Sequence, residues 1–256
     1  MHVCGIILVT GSAGRIGQAV VAELQRRRYR VRGFDRVKTP GLEDAVIGDI
    51  ADAKAVHQAA TGVEMILHLA ATPDDADFMT ELLPNNIVGV YNILEAARLS
   101  GARRIVLSSS GQVNWWQRMA QHWPVRVDDP PSPRYWYAAA KVFAESIGRG
   151  YAETHGLSVI AVRLGFCPRN KAHFQEVISS EWAQDVYLSP GDAGRFFACA
   201  VEAPDVHFAI VFATSKPKHC VHLDLEPARQ VLGFEPKDTW PEGIEMALMS
   251  EPERAL

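Results

Sequence analysis

The chain has 256 residues, of which 48% are hydrophobic and 22% charged, which is enough apolar sequence for a packed core. Its formal net charge of −4 argues against a general role in binding nucleic acid or membrane surfaces. The apolar N-terminal stretch lacks the basic residues of a signal peptide, and no apolar run is long enough to span a bilayer. The four cysteines show no CxxC spacing, which favours free thiols in a reducing, cytoplasmic compartment.

The first predicted element is a short apolar, β-branched run over residues 5–10, typical of a buried parallel strand. It leads directly into a glycine-rich turn, after which residues 18–24 show helical periodicity. In such a turn Gly11 permits the tight bend, Gly14 lets the backbone approach a pyrophosphate, and Gly17 lets the helix pack on the strand. Because the helix N-terminus can then receive phosphate groups, the pattern predicts dinucleotide binding.

A second predicted strand, over residues 29–35, ends in Asp35. A carboxylate at this distance from the glycines can hydrogen-bond a ribose 2′-hydroxyl. The same charge would repel a 2′-phosphate, so Asp35 favours NAD over NADP. Arg15 and Arg36 are nearby cations that could blur this preference, although a solvated surface position accounts for both more simply.

Strands and helices alternate along the rest of the chain. Further strands are predicted over residues 45–50, 64–71, 104–110, 157–164 and 208–212, and further helices over 52–60, 86–99, 135–145 and 191–203. This alternation predicts a doubly wound, mainly parallel α/β sheet that binds ligands beyond the carboxyl ends of its strands. The residues expected along that rim are Gly11, Asp35, Asp49, Ala70, Ser110 and Gly165.

Tyr137 and Lys141 lie four residues apart in an alanine-rich stretch, so a helix would place both side chains on one face. An ammonium beside a phenol would lower the tyrosine pKa from about 10 toward neutrality. A tyrosine tuned in this way can exchange a proton with an alcohol or a carbonyl. The spacing occurs by chance in many helices, and it becomes informative in combination with the glycine-rich turn.

Residues 219–222 read His-Cys-Val-His, which are residue types that bind metals. No second ligand pair follows at zinc spacing. The sequence therefore predicts no metal site.

Together these motifs resemble the extended short-chain dehydrogenases/reductases, also known as the NAD-dependent epimerase/dehydratase family. The resemblance covers nearly the whole chain, and within the family the chain is most similar to uronate dehydrogenases. Those enzymes oxidise the C1 hydroxyl of a free hexuronic acid to a lactone with NAD as acceptor. The stretches that carry the resemblance are residues 10–17, Asp49, residues 68–71, 85–98, 109–110, Tyr137 with Lys141, 162–167 and 223–236.

The resemblance implies a single NAD-binding Rossmann domain over residues 1–256, in which residues 166–190 and 216–256 form a small substrate-binding region. It implies that Tyr137 takes the substrate's hydroxyl proton, that Lys141 lowers its pKa and holds the nicotinamide ribose, and that Ser110 hydrogen-bonds the reacting oxygen. The expected cofactor-binding residues are Gly11, Gly14, Arg15, Ile16, Gly17, Asp35, Asp49, Ile50, Leu69, Ala70, Ala71, Asn86, Ser108, Tyr137 and Lys141. The expected substrate-binding residues are Thr72, Ser110, Gly111, Gln112, Tyr137, Phe174 and Gln175.

The chain departs from the uronate dehydrogenase pattern near the expected substrate site. Gly111 and Gln112 stand where those enzymes have Asn and His, and a proline aligns with a serine that they use. Their arginine that grips the substrate carboxylate aligns with residues 173–175, which contain none, although Arg169 or Lys171 could take its place. Four tryptophans, at 115, 116, 123 and 136, could stack on a sugar or pack the loop before the catalytic helix.

The resemblance thus implies an NAD-dependent oxidoreductase acting on a CH–OH group of a small sugar or sugar acid. The family resemblance also implies a homodimer that forms through the helices carrying Asn86 and Tyr137. One alternative is a nucleotide-sugar epimerase or dehydratase, which retains its cofactor, and another is a non-catalytic NAD-binding sensor. The short chain after Gly165 favours a small substrate, and the intact set of Ser110, Tyr137 and Lys141 argues against a sensor.

Overall fold

Seven strands form one parallel sheet in the computed structural model, which describes residues 5–244. The strands are β1 (Ile6–Thr10), β2 (Arg30–Asp35), β3 (Ala45–Ile47), β4 (Val63–His68), β5 (Arg104–Ser110), β6 (Ser158–Leu164) and β7 (Phe208–Ala213). Their spatial order is β3-β2-β1-β4-β5-β6-β7, so the direction of winding reverses between β1 and β4. A crevice opens at such a reversal, beyond the carboxyl ends of the strands. The predicted doubly wound Rossmann sheet is confirmed.

Helices cover both faces of the sheet. They are α1 (Arg15–Arg26), α2 (Ala53–Ala60), α3 (Gly89–Ser100), α4 (Trp115–Met119), α5 (Trp136–His155), α6 (Lys171–Ser179), α7 (Glu181–Asp185), α8 (Pro190–Glu202) and α9 (Glu226–Leu232). One buried apolar cluster joins the sheet to α1, α8 and α9, and a second joins it to α2, α3 and α5. The side chains of β1 alternate between them, with Ile7 and Val9 in the first cluster and Leu8 in the second. Burial on both faces explains the continuous apolar strands.

The helix predicted over residues 86–99 begins earlier than expected. A wide π-helical segment, Phe78–Val88, runs directly into α3 and contains Pro84. Within it Leu82 N donates to Asp77 O at 3.1 Å, five residues back, and Gly89 N donates to Pro84 O in the same way. A proline ordinarily marks a helix boundary because it lacks an N–H group and clashes with the carbonyl four residues earlier. The wider spacing accommodates Pro84 inside the helix.

Helix α8 packs directly across α1. A Cβ atom added to Gly194 would lie only 2.9 Å from Ala19 O, so the two backbones approach closely. At the far end Glu202 accepts from Arg27 Nη1 at 2.8 Å and from Tyr29 Oη at 2.9 Å. Residues from the last third of the chain therefore cover a face of the first strand–helix unit that would otherwise be exposed.

The segments expected to form the substrate region contact one another. Phe174, Val177, Ala183, Tyr187 and Trp240 form a separate buried cluster. Residues 245–256, which complete the region predicted from sequence, lie outside the described part of the chain. Among the described residues no helix is long and apolar enough to cross a membrane.

Candidate active site

The glycine-rich turn is closed by backbone contacts that leave no room for side chains. Gly11 has a φ of +69°, and a Cβ atom there would lie 2.7 Å from Ala70 N. A Cβ atom on Gly17 would lie 2.1 Å from Gly11 O, so α1 touches the turn. Gly14 is the N-cap of α1 and supplies no capping side chain. The first amide groups of α1 are thus available to an anionic ligand.

Asp35 lies at the carboxyl end of β2 and faces the same turn. Its Oδ2 accepts from Ala13 N at 3.0 Å, and its Oδ1 accepts from Val37 N at 3.3 Å. Each carboxylate oxygen keeps acceptor capacity for a further donor. Asp35 is therefore oriented by the backbone and able to accept from a ribose diol. Arg15 and Arg36 line the same cavity.

This first cavity has a volume of roughly 520 Å³, within the usual range for ligand sites. It combines an uncapped helix N-terminus with an oriented carboxylate, and these features fit the pyrophosphate and a ribose of NAD. The structure gathers nearly all the predicted cofactor-binding residues here. Those that line it are Gly11, Gly14, Arg15, Ile16, Gly17, Asp35, Asp49, Ile50, Leu69, Ala70, Ala71, Ser108, Tyr137 and Lys141.

Asn86 and Thr72 are the predicted ligand-binding residues that the structure instead uses to hold the loop after β4. The buried Asn86 amide accepts from Thr72 N at 2.8 Å and donates to Thr72 O at 3.0 Å. The Thr72 hydroxyl accepts from Asn85 Nδ2 at 2.8 Å. Neither Asn86 nor Thr72 lines the first cavity, whereas Asn85 does. The π-helical segment therefore fixes this loop through side-chain bonds to its backbone.

A second cavity, of roughly 610 Å³, adjoins the first. Tyr137 lines both, and Ser110, Gly111 and Gln112 line the second. Indole and phenol rings supply much of its remaining wall, namely Trp115, Trp123, Tyr135 and Trp182.

The structure does not bring the last two predicted substrate residues into the second cavity. Phe174 is packed in the cluster around Trp240, and Gln175 is exposed. Their neighbours His173 and Glu176 line the cavity instead. The helical turn of α6 therefore presents a different pair of residues from the one expected by alignment.

Tyr137, Lys141 and Ser110 lie at the junction of the two cavities. Lys141 is buried, and its Nζ donates to Ser108 O at 3.0 Å, 5.5 Å from the centre of the Tyr137 ring. The Ser110 side chain acts on the Tyr137 phenol by lowering its pKa, and Ser110 Oγ accepts from Gln112 N at 3.2 Å. The neighbouring Ser109 also lines both cavities, and its hydroxyl donates to Glu145 Oε1 at 2.6 Å. The choice of Ser110 over Ser109 stays a prediction.

The charges around Tyr137 differ from the sequence-based expectation. Burial raises the pKa of Tyr137 to about 12, and the nearby Asp74 carboxylate acts in the same direction, while the Ser110 side chain opposes them. Burial also lowers the pKa of Lys141 to about 8. Lys141 donates to a carbonyl oxygen, and burial disfavours the charged forms of both groups. The predicted lowering of the tyrosine pKa is therefore not observed in the protein alone.

Asp74 contacts a charged and a polar side chain at the wall of the second cavity. It was not predicted from the sequence. Its backbone φ is +62°, and its carboxylate forms an ion pair with Arg169. It also accepts from Gln112 Nε2 at 3.1 Å. Arg169 lines both cavities, which supports the expectation that it could replace the missing arginine, whereas Lys171 is exposed. No sequence motif marks Asp74, because its position depends on the loop conformation.

Arg118 is a second cation of this cavity that the sequence did not reveal. Its guanidinium lies over the Trp182 ring, 3.3 Å from the ring centre, and 4.9 Å from that of Trp115. Burial lowers its pKa from the ordinary value. The cation is thus held between aromatic faces. It belongs to α4, a helix within the stretch predicted to be a loop.

A sequence profile of the NAD-dependent epimerase/dehydratase family matches residues 7–221 of the chain. The chain is 31% identical to an L-arabinose 1-dehydrogenase (NAD(P)+) of Haloferax volcanii, over 91% of this chain and 96% of that protein. It is 30% identical to a uronate dehydrogenase of Pseudomonas syringae pv. tomato, over 91% of this chain and 82% of that protein.

Solved structures agree with this assignment. A mutant uronate dehydrogenase from Agrobacterium tumefaciens, complexed with NAD, superposes with a TM-score of 0.77 at 26% identity, covering 91% of this chain and 84% of the other. The predicted resemblance to uronate dehydrogenases, NAD as the cofactor and the prediction of an NAD-dependent dehydrogenase are confirmed. The chain belongs to the NAD-dependent epimerase/dehydratase family.

Proposed function

We propose that the protein oxidises the C1 hydroxyl of a small sugar or sugar acid to a lactone, with NAD as the acceptor. The observation that carries this proposal is the position of Tyr137, which lines both cavities. Lys141 lies on the side of the first cavity and Ser110 on the side of the second. This position supports Tyr137 as the group that exchanges a proton with a substrate bound beside the dinucleotide.

In the proposed reaction Tyr137 takes the hydroxyl proton and Ser110 hydrogen-bonds the reacting oxygen. Bound NAD supplies the hydride acceptor. Lys141, anchored on Ser108 O, holds its ammonium beside the Tyr137 ring and the nicotinamide ribose. Because the pKa of Tyr137 is raised to about 12, the oxidation needs deprotonation of a buried phenol and should proceed faster as the pH rises.

The second cavity suits a polyhydroxylated ring. The aromatic rings of Trp115, Trp123 and Tyr135 line it and supply flat apolar surface for a sugar ring. The Asp74 carboxylate and the Gln112 amide add acceptors and donors at the same wall. The names of the relatives, L-arabinose 1-dehydrogenase and uronate dehydrogenase, support the same substrate class.

We also propose that two copies of the chain associate through α3 and α5, as the family resemblance predicts. Both helices expose large apolar side chains, including Tyr91 and Leu99 on α3 and Trp136 and Phe143 on α5. Exposed apolar side chains on adjacent helices favour association. Light scattering during size-exclusion chromatography tests this, and a monomer at micromolar concentration would refute it.

The reaction is tested by following NADH absorbance with purified protein, NAD and a substrate panel. The panel contains pentoses, hexoses, hexuronates, simple alcohols and a nucleotide sugar. We expect NADH with a free sugar or uronate, and a hydroxylamine-trappable lactone in equal amount. Turnover of the nucleotide sugar without net NADH would instead indicate an epimerase. NAD binding with no turnover of any compound would indicate a sensor.

A further inference from the structure

Asp185, Cys220 and His222 converge at the side of the substrate cavity, outside the site described above. Cys220 Sγ lies 3.2 Å from His222 Nε2 and 3.6 Å from Asp185 Oδ2, and the Asp185 Oδ2 and His222 Nε2 atoms are 3.3 Å apart. The three potential ligand atoms thus form a nearly equilateral triangle. Cys220 and His222 come from the His-Cys-Val-His stretch, and Asp185 is the last residue of α7.

This arrangement does not suit a nucleophilic triad. In such a triad the acid and the nucleophile bind opposite nitrogens of the imidazole. Here both Asp185 Oδ2 and Cys220 Sγ approach Nε2, since the distance from Sγ to Nδ1 is 4.0 Å. Three potential ligand atoms that converge on one point are instead the arrangement that a bound cation requires.

Backbone groups hold the Asp185 carboxylate in place for this purpose. Its Oδ1 accepts from Lys218 N at 2.8 Å and from His219 N at 2.6 Å, and its Oδ2 accepts from Cys220 N at 3.0 Å. Asp185 is almost fully buried, whereas Cys220 is exposed, so the cluster is fixed on one side and open on the other. Oδ2 retains acceptor capacity toward the centre of the triangle.

We propose that Asp185, Cys220 and His222 bind a zinc ion. A cation equidistant from the corners of this triangle would lie about 2 Å from each, which agrees with zinc bond lengths of about 2.0–2.3 Å to nitrogen, oxygen and sulfur. The mixed ligand set of imidazole, thiolate and carboxylate is one that zinc accepts, with a fourth position left to solvent. The His-Cys-Val-His stretch alone did not predict this site, because the third ligand, Asp185, lies 35 residues from Cys220.

The position of the site indicates what the ion does. Trp182, on the same short helix as Asp185, and Leu223, next to His222, both line the second cavity. The His222 ring also packs edge-on against Trp123, another wall residue, with 4.5 Å between the ring centres. A zinc ion would clamp the 218–222 loop to α7, and so fix the wall that contacts the substrate. Its role is therefore structural and independent of the redox reaction.

The test uses untagged, full-length protein that has been treated with a chelator, because a polyhistidine tag binds the same ions. Titration with Zn²⁺ against a chromophoric competitor should show one tight equivalent per chain, and the midpoint of thermal unfolding should rise on addition of Zn²⁺. Co²⁺ in place of Zn²⁺ should give a near-ultraviolet absorption band from thiolate-to-cobalt charge transfer. That band reports sulfur ligation directly and does not depend on enzymatic activity.

Cys220→Ser should abolish the band and weaken Zn²⁺ binding at least tenfold, and His222→Gln should also weaken binding. Cys199→Ser removes another free thiol, which lies on α8 and packs against the apolar cluster shared with α1. It is the matched control and should leave binding and the band unchanged. Circular dichroism of each variant establishes that it is folded. Stoichiometric binding that persists equally in Cys220→Ser, or wild-type protein that binds no Zn²⁺, would overturn the proposal.

Discussion

Arg163 on β6 and Glu145 on α5 form a buried two-pronged ion pair, with Nε to Oε1 and Nη2 to Oε2 both at 2.9 Å. Arg163 also donates to Asn114 Oδ1 at 2.8 Å, and Glu145 accepts from Ser109. The pair therefore joins the helix that carries Tyr137 to the strand next to β5. Tyr137 and Ser110 lie on the elements next to this pair, and the pair has no hydrogen bond to either residue.

Arg163→Met should destabilise the fold by about 3–5 kcal/mol, because it leaves the Glu145 charge buried without its partner. Denaturant unfolding measures this loss. Arg98→Met is the control, since Arg98 pairs with Glu95 at the surface, where solvent screens the interaction. Equal and small effects of both substitutions would contradict the assigned role of the buried pair.

Tyr137→Phe should lower kcat/KM by about 10²–10⁴-fold while NAD binding stays nearly unchanged, because the substitution removes the proton acceptor. Steady-state kinetics and isothermal titration with NAD separate the two effects. Tyr151→Phe is a matched control on the same helix, where the hydroxyl bonds Glu95 instead of facing a cavity. Turnover of Tyr137→Phe at the wild-type rate would refute the proposed mechanism.

Asp74→Asn should move the pH dependence of oxidation to lower pH. The Asp74 carboxylate disfavours the phenolate and so raises the pKa of Tyr137. The reactive form is unprotonated, so activity increases as pH rises toward that pKa, and a lower pKa shifts the rising limb to the acidic side. The shift is measured from the dependence of kcat/KM on pH, between about pH 6 and 11. Asp75→Asn, which changes the adjacent carboxylate, should shift the profile less.

Arg169→Gln should distinguish acidic from neutral substrates. A uronate carboxylate would have to replace Asp74 at the Arg169 guanidinium, and a hydrogen bond to a charged group contributes about 1.5–3 kcal/mol. The KM for glucuronate should then rise about 10–100-fold, whereas the KM for glucose should change little. Lys171→Gln, at an exposed position on the same segment, provides the control. A parallel rise for both sugars would show that Arg169 does not bind the carboxylate.

Asp35→Ser should increase the use of NADP relative to NAD by about tenfold or more in kcat/KM, equivalent to about 1.4 kcal/mol. The substitution removes the charge that repels a 2′-phosphate, while Arg15 and Arg36 remain in the same cavity. Asp49→Ser serves as the comparison, since Asp49 lines the cavity but caps its own loop through Ala51 N at 2.8 Å. Unchanged cofactor preference in Asp35→Ser would mean that other groups set it.

The sheet and the first cavity could be predicted because their signals are local. The apolar runs of β1 and β5 were identified within one residue, and the glycine turn with Asp35 follows from backbone geometry alone. The π-helical start at Phe78 could not be predicted in this way, since Pro84 imitates a helix boundary. The walls of the second cavity depend on irregular segments, whose conformation follows from tertiary contacts.

The site residues that were predicted have local sequence signals, whereas those that were missed depend on tertiary contacts. Tyr137 and Lys141 need only one helical turn to share a face. Asp74 reaches Arg169 across 95 positions, and Arg118 reaches Trp182 between two short helices. Phe174 and Gln175 were assigned by alignment, and the orientation of α6 presents His173 and Glu176 to the cavity instead. Contacts between such distant residues do not occur at a fixed sequence spacing, so the sequence does not predict them.

The packing of α8 on α1 has a consequence for synthesis of the chain. When β6 has left the ribosome, the nucleotide-binding turn and its helix are already present, but the apolar residues Val20 and Leu24 of α1 still lack their cover. They are shielded only when Pro190–Glu202 emerges and folds back. Nascent chains stalled before that point should therefore be bound by chaperones and cleaved readily by proteases. Release of those chains into a protease-resistant state should coincide with the appearance of α8.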